Sequence, residues 1–167
     1  FVLLKNGTSK PVLPIGASVR RIAVLGPLAH DRNNMHGGWG GLADEKRVVT
    51  LRAALEAYAK DHKLQIKYAR GTELTGTSDN EFAKAVAAAK QADLVLLAVG
   101  EQGDLTGEAA SRRQLDVPGI QARLASAVLA TGKPVVLIVF GRPMVLTPYV
   151  EKAAAVIQAW HPGIEAG

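Results

Sequence analysis

The sequence contains no cysteine, which excludes disulfide bonds and thiolate metal sites but leaves the cellular compartment open. It also lacks any apolar run near the roughly 18 residues that a membrane-spanning helix needs, which argues against membrane insertion. No basic stripe with interleaved aromatic residues is present, because the lysines and arginines behind the net charge of +5 are scattered. A solvated surface is therefore favoured over a nucleic-acid partner.

What remains is a chain of 167 residues, 48% of them hydrophobic and 21% charged, which suits one domain with a substantial core. The first residue is Phe1 rather than methionine, and the opening segment has the wrong order of charge for a signal peptide. The last predicted strand is followed only by 161–167, with no helix to cover it. We therefore expect a fragment, a single domain over 1–167 that is incomplete at its C-terminal end.

Short β-branched apolar runs alternate with segments of helical periodicity. Two of the runs are almost wholly apolar, as in strands buried on both faces of a parallel sheet. The predicted strands are 20–26, 64–69, 93–99, 134–140 and 154–160. The predicted helix starts are a Thr50 cap, a capping box at 78–81, Pro118 in a first turn and a short helix from Thr147. This order predicts an α/β fold: a mostly parallel open sheet of five to six strands with helices on both faces, a three-layer, flavodoxin-like α/β sandwich.

In open α/β sheets, ligands bind beyond the carboxyl ends of the strands. Here, the loops that follow four of the predicted strands are rich in glycine and in polar or aromatic residues. We expect them to bring seven side chains to one cleft: Trp39, Glu101, Asp104, Glu108, Arg112, Arg142 and His161.

A tryptophan held between loop glycines is either a plug for the core or an exposed platform on which a sugar ring stacks. The residue pattern by itself slightly favours the plug for Trp39. Glu101 and Glu108 lie in a long loop after a buried strand, where packing residues are not expected, although solvated loop charges are common there.

Other motifs give no site. The segment 38–43 resembles a dinucleotide fingerprint but begins a dozen residues after the strand. His30 and His36 have no third metal ligand at a diagnostic spacing, and Ser111 has no nucleophile elbow. The sequon Asn6-Gly7-Thr8 has meaning only in a secreted eukaryotic chain.

Five motifs in order resemble the C-terminal domain of family 3 glycoside hydrolases. They are Val2-Leu3-Leu4-Lys5-Asn6 with Leu13-Pro14, Ile22-Ala23-Val24-Leu25-Gly26-Pro27, Gly37-Gly38-Trp39, Gly141-Arg142-Pro143, and Trp160-His161-Pro162-Gly163 continued by Glu165-Ala166-Gly167. The resemblance extends over the whole chain and is greatest to bacterial periplasmic β-glucosidases. It implies a periplasmic or secreted enzyme that hydrolyses a β-glucoside or oligosaccharide without a metal or cofactor.

The resemblance also implies residue roles. The family pattern E-x-x-[DS]-R-x-x-L-x-[LVI]-P matches 108–118, which makes Glu108 the catalytic acid/base. Glu101 would shape the loop or its field, and Trp39, Glu101, Arg112 and His161 are expected on the substrate-binding side of the cleft. The nucleophile would come from an N-terminal (β/α)8 barrel that this chain does not contain, so the isolated chain is expected to be inactive.

Two alternatives stay open. One is a non-catalytic sugar-binding or interface module, in which Trp39 is useful and Glu108 is not. The other is a flavodoxin-like nucleotide binder, which would lack a phosphate-cradling loop directly after the first predicted strand.

Overall fold

The computed structural model describes residues 1–7 and 10–167, so Thr8 of the Asn6-Gly7-Thr8 sequon lies outside the described residues. Within them the chain forms six strands: β1 (Val2–Asn6), β2 (Arg21–Leu25), β3 (Gln65–Ala69), β4 (Leu94–Gly100), β5 (Val135–Phe140) and β6 (Ala155–Trp160). The α-helices are α1 (Leu51–His62), α2 (Phe82–Gln91), α3 (Gln121–Leu129) and α4 (Thr147–Val150). None of the helices so described is long and apolar enough to cross a membrane.

The strands form one sheet in the order β1-β6-β5-β4-β2-β3. Strands β2 to β6 are parallel to one another, and β1 runs antiparallel to β6 at one edge. The predicted fold class is thus confirmed, and each predicted strand agrees with an observed one to within one residue at either end.

The core has two layers, one on each face of the sheet, because side chains along a strand alternate between faces. In β4, Val95, Leu97 and Val99 belong to the layer beneath α2, α3 and α4. The alternate residues of β4 belong to the other layer, which α1 and the segment 12–19 cover. All seven residues of β4 are buried, which explains why its sequence shows no polar face.

Strand β1 lies outside the five predicted strands. Val2, Leu3 and Leu4 are each about half exposed, so no alternation of apolar and polar residues marks the strand in the sequence. A register shift between Leu3 and Lys5 interrupts its pairing with β6. The Lys5 ammonium donates a 2.7 Å hydrogen bond to the carbonyl of Val150. A bulge and a lysine are devices that discourage further strand addition at a sheet edge.

The helix starts were predicted with mixed success. Thr50 caps α1 as predicted, since its hydroxyl accepts a hydrogen bond from the backbone N–H of Ala53. The capping box is wrong: α2 begins at Phe82, and Asp79 and Glu81 bind arginines instead of backbone N–H groups. The first-turn position of Pro118 is also wrong.

Pro118 lies three residues before α3, whose first residue is Gln121. Gly119, between them, has a φ of +61°, which is incompatible with a right-handed helix. The Gln121 amide is buried, where it donates to the carbonyl of Gly100 and accepts from the Gly100 N–H, so the start of α3 is fixed to the end of β4.

Candidate active site at the carboxyl edge of the sheet

The candidate site lies at the carboxyl ends of β2 and β4. These strands are neighbours, but the helices that follow them, α1 and α3, lie on opposite faces of the sheet. Such a switch point opens a crevice at the carboxyl edge, which is the usual ligand position in open α/β sheets.

Hydrogen bonds donated by backbone N–H groups join four loops at this edge. The loops after β2 and β4 are joined by the bonds from Gly38 N to Thr106 Oγ1 (3.0 Å) and from Gly103 N to Asn34 Oδ1 (2.8 Å). The loop after β5 is joined to the end of β6 by Gly141 N to Trp160 O (2.8 Å), and the loop after β6 to that after β2 by Gly163 N to Met35 O (2.9 Å). The loops after β2, β4, β5 and β6 therefore form one connected rim.

Trp39 is an exposed platform. It ends a 3-10 turn over Gly37–Trp39, and 74% of its surface is exposed, so the interpretation as a core plug is wrong. One edge of its indole lies against the loop after β4, where a β-carbon built on Gly107 would be 3.3 Å from Nε1. An indole this exposed offers a flat apolar surface to a ligand.

Glu108 immediately follows Gly107, the residue that contacts the indole. Its side chain is exposed, and it lies between Gly107 and Ala109, whose φ angles are +106° and +59°. A left-handed conformation costs a residue with a β-carbon about 1–2 kcal/mol. Backbone strain of this kind clusters at functional sites, where the surrounding structure holds it in place.

Glu101, seven residues earlier, has a different environment. Its side chain has no exposed surface. Oε1 accepts hydrogen bonds from Arg142 N (2.8 Å) and Arg142 Nε (2.9 Å), and Oε2 accepts from Arg142 Nη2 (3.1 Å) and Arg112 Nη1 (2.9 Å). We call these three residues the Glu101 cluster. A direct contact between Glu101 and a sugar stays a prediction.

The electrostatics of the Glu101 cluster keep its carboxylate charged. Burial raises the pKa of the Glu101 carboxyl, but the hydrogen bonds from Arg142 and Arg112 outweigh burial and hold this pKa below its ordinary value. The contact also raises the pKa of Arg142. An ionised carboxylate of this kind has no proton to give at neutral pH, so Glu101 is unsuited to the role of a general acid.

Arg142 contacts both flanks of the Glu108 loop as well. Nη2 donates to the carbonyl of Leu105 and Nη1 to that of Ala110, the latter at 3.4 Å. The sequence places Arg142 at this edge but gives it no role. Glu101 is the first residue after β4 and Arg142 the second residue after the adjacent strand β5, and these opposite charges at neighbouring buried strand ends were the available signal for their pairing.

The remaining predicted residues lie on the same rim. The Arg112 side chain is mostly buried, and its Nη2 atom donates to the carbonyl of Asp116. The ring of His161 packs against Gly37, where a built β-carbon would be 2.7 Å from Cγ. Asp104 is exposed in the 3-10 turn Gly103–Leu105.

The two rim histidines share one feature. The Nε2 atoms of His36 and His161 are buried, and neither has a hydrogen-bond partner within 1–7 and 10–167. Over the same residues, no group of three or more histidines or carboxylates has the arrangement of a metal site.

Comparison with known proteins identifies the domain type. The family model described as the glycosyl hydrolase family 3 C-terminal domain matches residues 1–167. A β-xylosidase of Formosa agariphila is 32% identical over all of this chain, and a periplasmic β-glucosidase of Salmonella typhimurium is 36% identical over 99% of it. The crystal structure of a β-glucosidase from Listeria innocua in complex with isofagomine superposes with a TM-score of 0.87, at 33% identity over 99% of the chain.

These relatives are longer proteins. The chain spans 24% of the length of the two curated relatives and 22% of the Listeria innocua chain. The family match over every residue, together with the shared fold, assigns the domain. The chain belongs to glycosyl hydrolase family 3, as the C-terminal α/β domain of that family.

Proposed function

We propose that this domain supplies the general acid/base, Glu108, to a retaining β-glycosidase of the β-glucosidase type. The observation that carries the proposal is the position of Glu108: an exposed carboxyl on a strained loop, next to the exposed Trp39, at the switch point of the sheet. The nucleophile would belong to a (β/α)8 barrel elsewhere in the same polypeptide, in keeping with the greater length of the relatives.

The chemistry needs two carboxyl groups about 5–5.5 Å apart, one on each side of the scissile bond. The nucleophile attacks the anomeric carbon while the acid protonates the departing oxygen; the same residue then takes a proton from water. An exposed carboxyl suits this role because it can face a second domain. Both proton transfers run through a side-chain carboxyl, so we propose no metal or organic cofactor.

Substrate contacts are proposed for three further rim residues. Trp39 would stack on the aglycone, since its indole offers the largest apolar face at this edge. Arg112 and His161 lie beside the loop of Glu108 and the turn of Trp39, respectively, and would contact sugar hydroxyls.

The glycone is proposed to be β-D-glucose, but β-xylosidases are also among the relatives. Glucosides and xylosides differ in one hydroxymethyl group, which the barrel side of the pocket would accept or reject. Rates on p-nitrophenyl β-D-glucoside and p-nitrophenyl β-D-xyloside, measured side by side, test the assignment; a preference for the xyloside would overturn it.

The acid/base role is tested by Glu108→Ala in the polypeptide that joins this domain to its barrel. Loss of a general acid should lower kcat/KM for cellobiose about 100- to 10,000-fold, whereas a dinitrophenyl glucoside, whose leaving group needs no proton, should lose far less. Azide should restore turnover and yield a β-glucosyl azide. Glu108→Gln serves as the isosteric control. Equal losses on both substrates, without azide rescue, would remove Glu108 from the role.

The chain without a barrel is proposed to be inactive on both substrates. A non-catalytic sugar-binding module is the second candidate, favoured by the exposure of Trp39. It predicts that β-glucosides bind the chain alone and that Glu108→Ala leaves this binding unchanged. Isothermal titration of the chain alone separates the three alternatives. Binding of glucose or cellobiose indicates the sugar-binding module, binding of ATP or FMN indicates a nucleotide binder, and the hydrolase domain without its barrel is expected to bind neither.

A periplasmic or secreted location is also proposed, in keeping with the relative named as a periplasmic β-glucosidase. Cell fractionation with an antibody against the domain tests it, and recovery in the cytoplasmic fraction would overturn it.

A further inference from the structure

Arg142 lies between a fixed anion and the loop that bears Glu108. On one side its guanidinium and its backbone N–H donate three hydrogen bonds to the carboxylate of Glu101. On the other side the guanidinium donates to the carbonyls of Leu105 and Ala110. These two carbonyls lie three residues before and two residues after Glu108, so one side chain holds both flanks of the candidate acid.

The anion that orients Arg142 has little freedom to move. Glu101 directly follows β4, and its side chain is wholly buried. Arg112 donates to Oε2, the carboxylate oxygen to which Arg142 makes its longer hydrogen bond. A β-carbon on Gly141 would stand 2.5 Å from Cγ of Glu101, so glycine is required for the close approach of the β5 end to this carboxylate. A buried carboxylate with matched arginines costs a great deal to disrupt, because removal of one partner leaves an uncompensated charge.

We propose that Arg142, held in place by Glu101, is a positioning residue that sets the location of the Glu108 carboxyl during proton transfer. The proposal rests on the acid/base role proposed for Glu108. The loop around Glu108 contains two positive φ angles, at Gly107 and Ala109, and contacts that hold its flanks are what keep such a strained segment in one conformation. Arg142 acts through these carbonyls and is not itself assigned to the reacting atoms.

The geometry requires arginine rather than any cation. A guanidinium has five N–H donors in a fixed plane, so it can hold a carboxylate and two carbonyls at once. A lysine ammonium keeps the charge beside Glu101 but has only three donors on one atom, and it cannot span Leu105 and Ala110 together. Arg142→Lys therefore removes the bridge between the carbonyls while retaining the ion pair.

The test compares Arg142→Lys with Glu108→Ala and with the double variant, in the polypeptide that joins the domain to its barrel. Misplacement of a reacting group by about 1 Å costs on the order of 100-fold. We expect Arg142→Lys to lower kcat/KM for cellobiose by about that factor while the dinitrophenyl glucoside loses only a few-fold. Because both changes would act on one proton transfer, the double variant should be no slower on cellobiose than Glu108→Ala alone.

Arg123→Lys is the matched control, because the exposed guanidinium of Arg123 donates its 2.8 Å hydrogen bond to Asp79 rather than to the Glu101 cluster. If Arg142→Lys fails to fold, Glu101→Gln replaces it; that change keeps the guanidinium of Arg142 but removes the charge that orients it and replaces one of the two acceptor oxygens with an amide NH2 group. Equal losses on both substrates, or losses that add in the double variant, would overturn the positioning role. Failure of the acid/base role is a separate outcome, visible as equal losses in Glu108→Ala itself.

Discussion

Gly38 shows how closely the loops after β2 and β4 approach each other. A β-carbon built at this position would lie 2.0 Å from the carbonyl oxygen of Thr106, although its φ angle is one that other residues adopt. The contact therefore forbids any side chain for steric reasons alone. The glycine lets the turn that carries Trp39 rest on the segment that leads to Glu108.

Gly38→Ala should accordingly destabilise the chain by about 1–3 kcal/mol, the usual cost of forcing extra atoms into a packed contact. Urea unfolding followed by circular dichroism measures this change. Gly16→Ala is the control, because nothing lies within 4 Å of its built β-carbon; it should change the free energy of unfolding by less than about 0.5 kcal/mol. Similar values for the two variants would show that the loops do not press on each other.

Individual residues were predictable from sequence to different degrees. Glu108 and Trp39 could be placed at the rim because each follows a recognisable strand and glycine-rich loop. The burial of Glu101 could not, because it depends on a cation that follows a different strand and on the absence of a side chain at Gly141. Contacts to backbone carbonyls, such as those of Arg142, leave no mark in the sequence.

Strand β4 is tied to its neighbours at both ends by carboxylates. Asp93, directly before β4, accepts hydrogen bonds from the backbone N–H groups of Arg20 (3.1 Å) and Arg21 (2.9 Å) and from the Arg21 guanidinium (2.6 Å). These contacts hold the pKa of Asp93 well below its ordinary value. Glu101 makes the corresponding connection at the other end, toward Arg142.

Acid should therefore weaken the sheet. Because the pKa values of Asp93 and Glu101 are both lowered on folding, their stabilisation is fully present above the ordinary values near pH 4 and is lost as the pH falls below them. Thermal unfolding from pH 7 to pH 2 should show Tm falling below about pH 4. Asp93→Asn should lower Tm at pH 7 and flatten this profile, whereas Asp61→Asn, at an exposed position of α1, should do neither. An unchanged profile in Asp93→Asn would contradict the argument.

The elements themselves were predicted best where burial dictates the sequence. Strands β2 to β6 pack on one or both faces, and their apolar runs show it. Strand β1 is half exposed and shows no period. The start of α2 was predicted wrongly because Asp79 and Glu81, the polar residues of a plausible cap, form hydrogen bonds with arginines instead of with the first N–H groups of the helix.

As a whole, the domain exposes both of its tryptophans on one side. The sequence contains two tryptophans, and both lie at the carboxyl edge of the sheet, Trp39 with 74% and Trp160 with 44% of the surface exposed. Trp160 has a φ of +60°. Leu42, three residues after Trp39, and Leu115, in the loop after β4, are also exposed and add apolar surface. This is the side that the proposed barrel would cover.

Hydroxyl-radical footprinting read by mass spectrometry tests that arrangement. Trp39 and Trp160 should be oxidised several-fold more slowly in the polypeptide with the barrel than in this chain alone, because a second domain shields them. Tyr58 is the internal control: it is 54% exposed on α1, the helix that leads away from the rim, and its rate should not change. Protection of Tyr58 without protection of the tryptophans would place the second domain elsewhere.

Trp39 and Glu108 lie on different loops, those after β2 and β4, and this separation has an evolutionary consequence. The aromatic turn at 37–39 and the carboxyl at 108 are encoded by separate stretches of chain, which meet where the Gly38 N–H donates to the Thr106 hydroxyl and where Gly107 lies against the indole edge. In the proposed enzyme, mutations in the first stretch can alter which leaving group is accommodated while the apparatus for proton delivery is inherited intact. In such an enzyme, acceptor preference could thus change by exchange of a short turn, without redesign of the loop that carries Glu108.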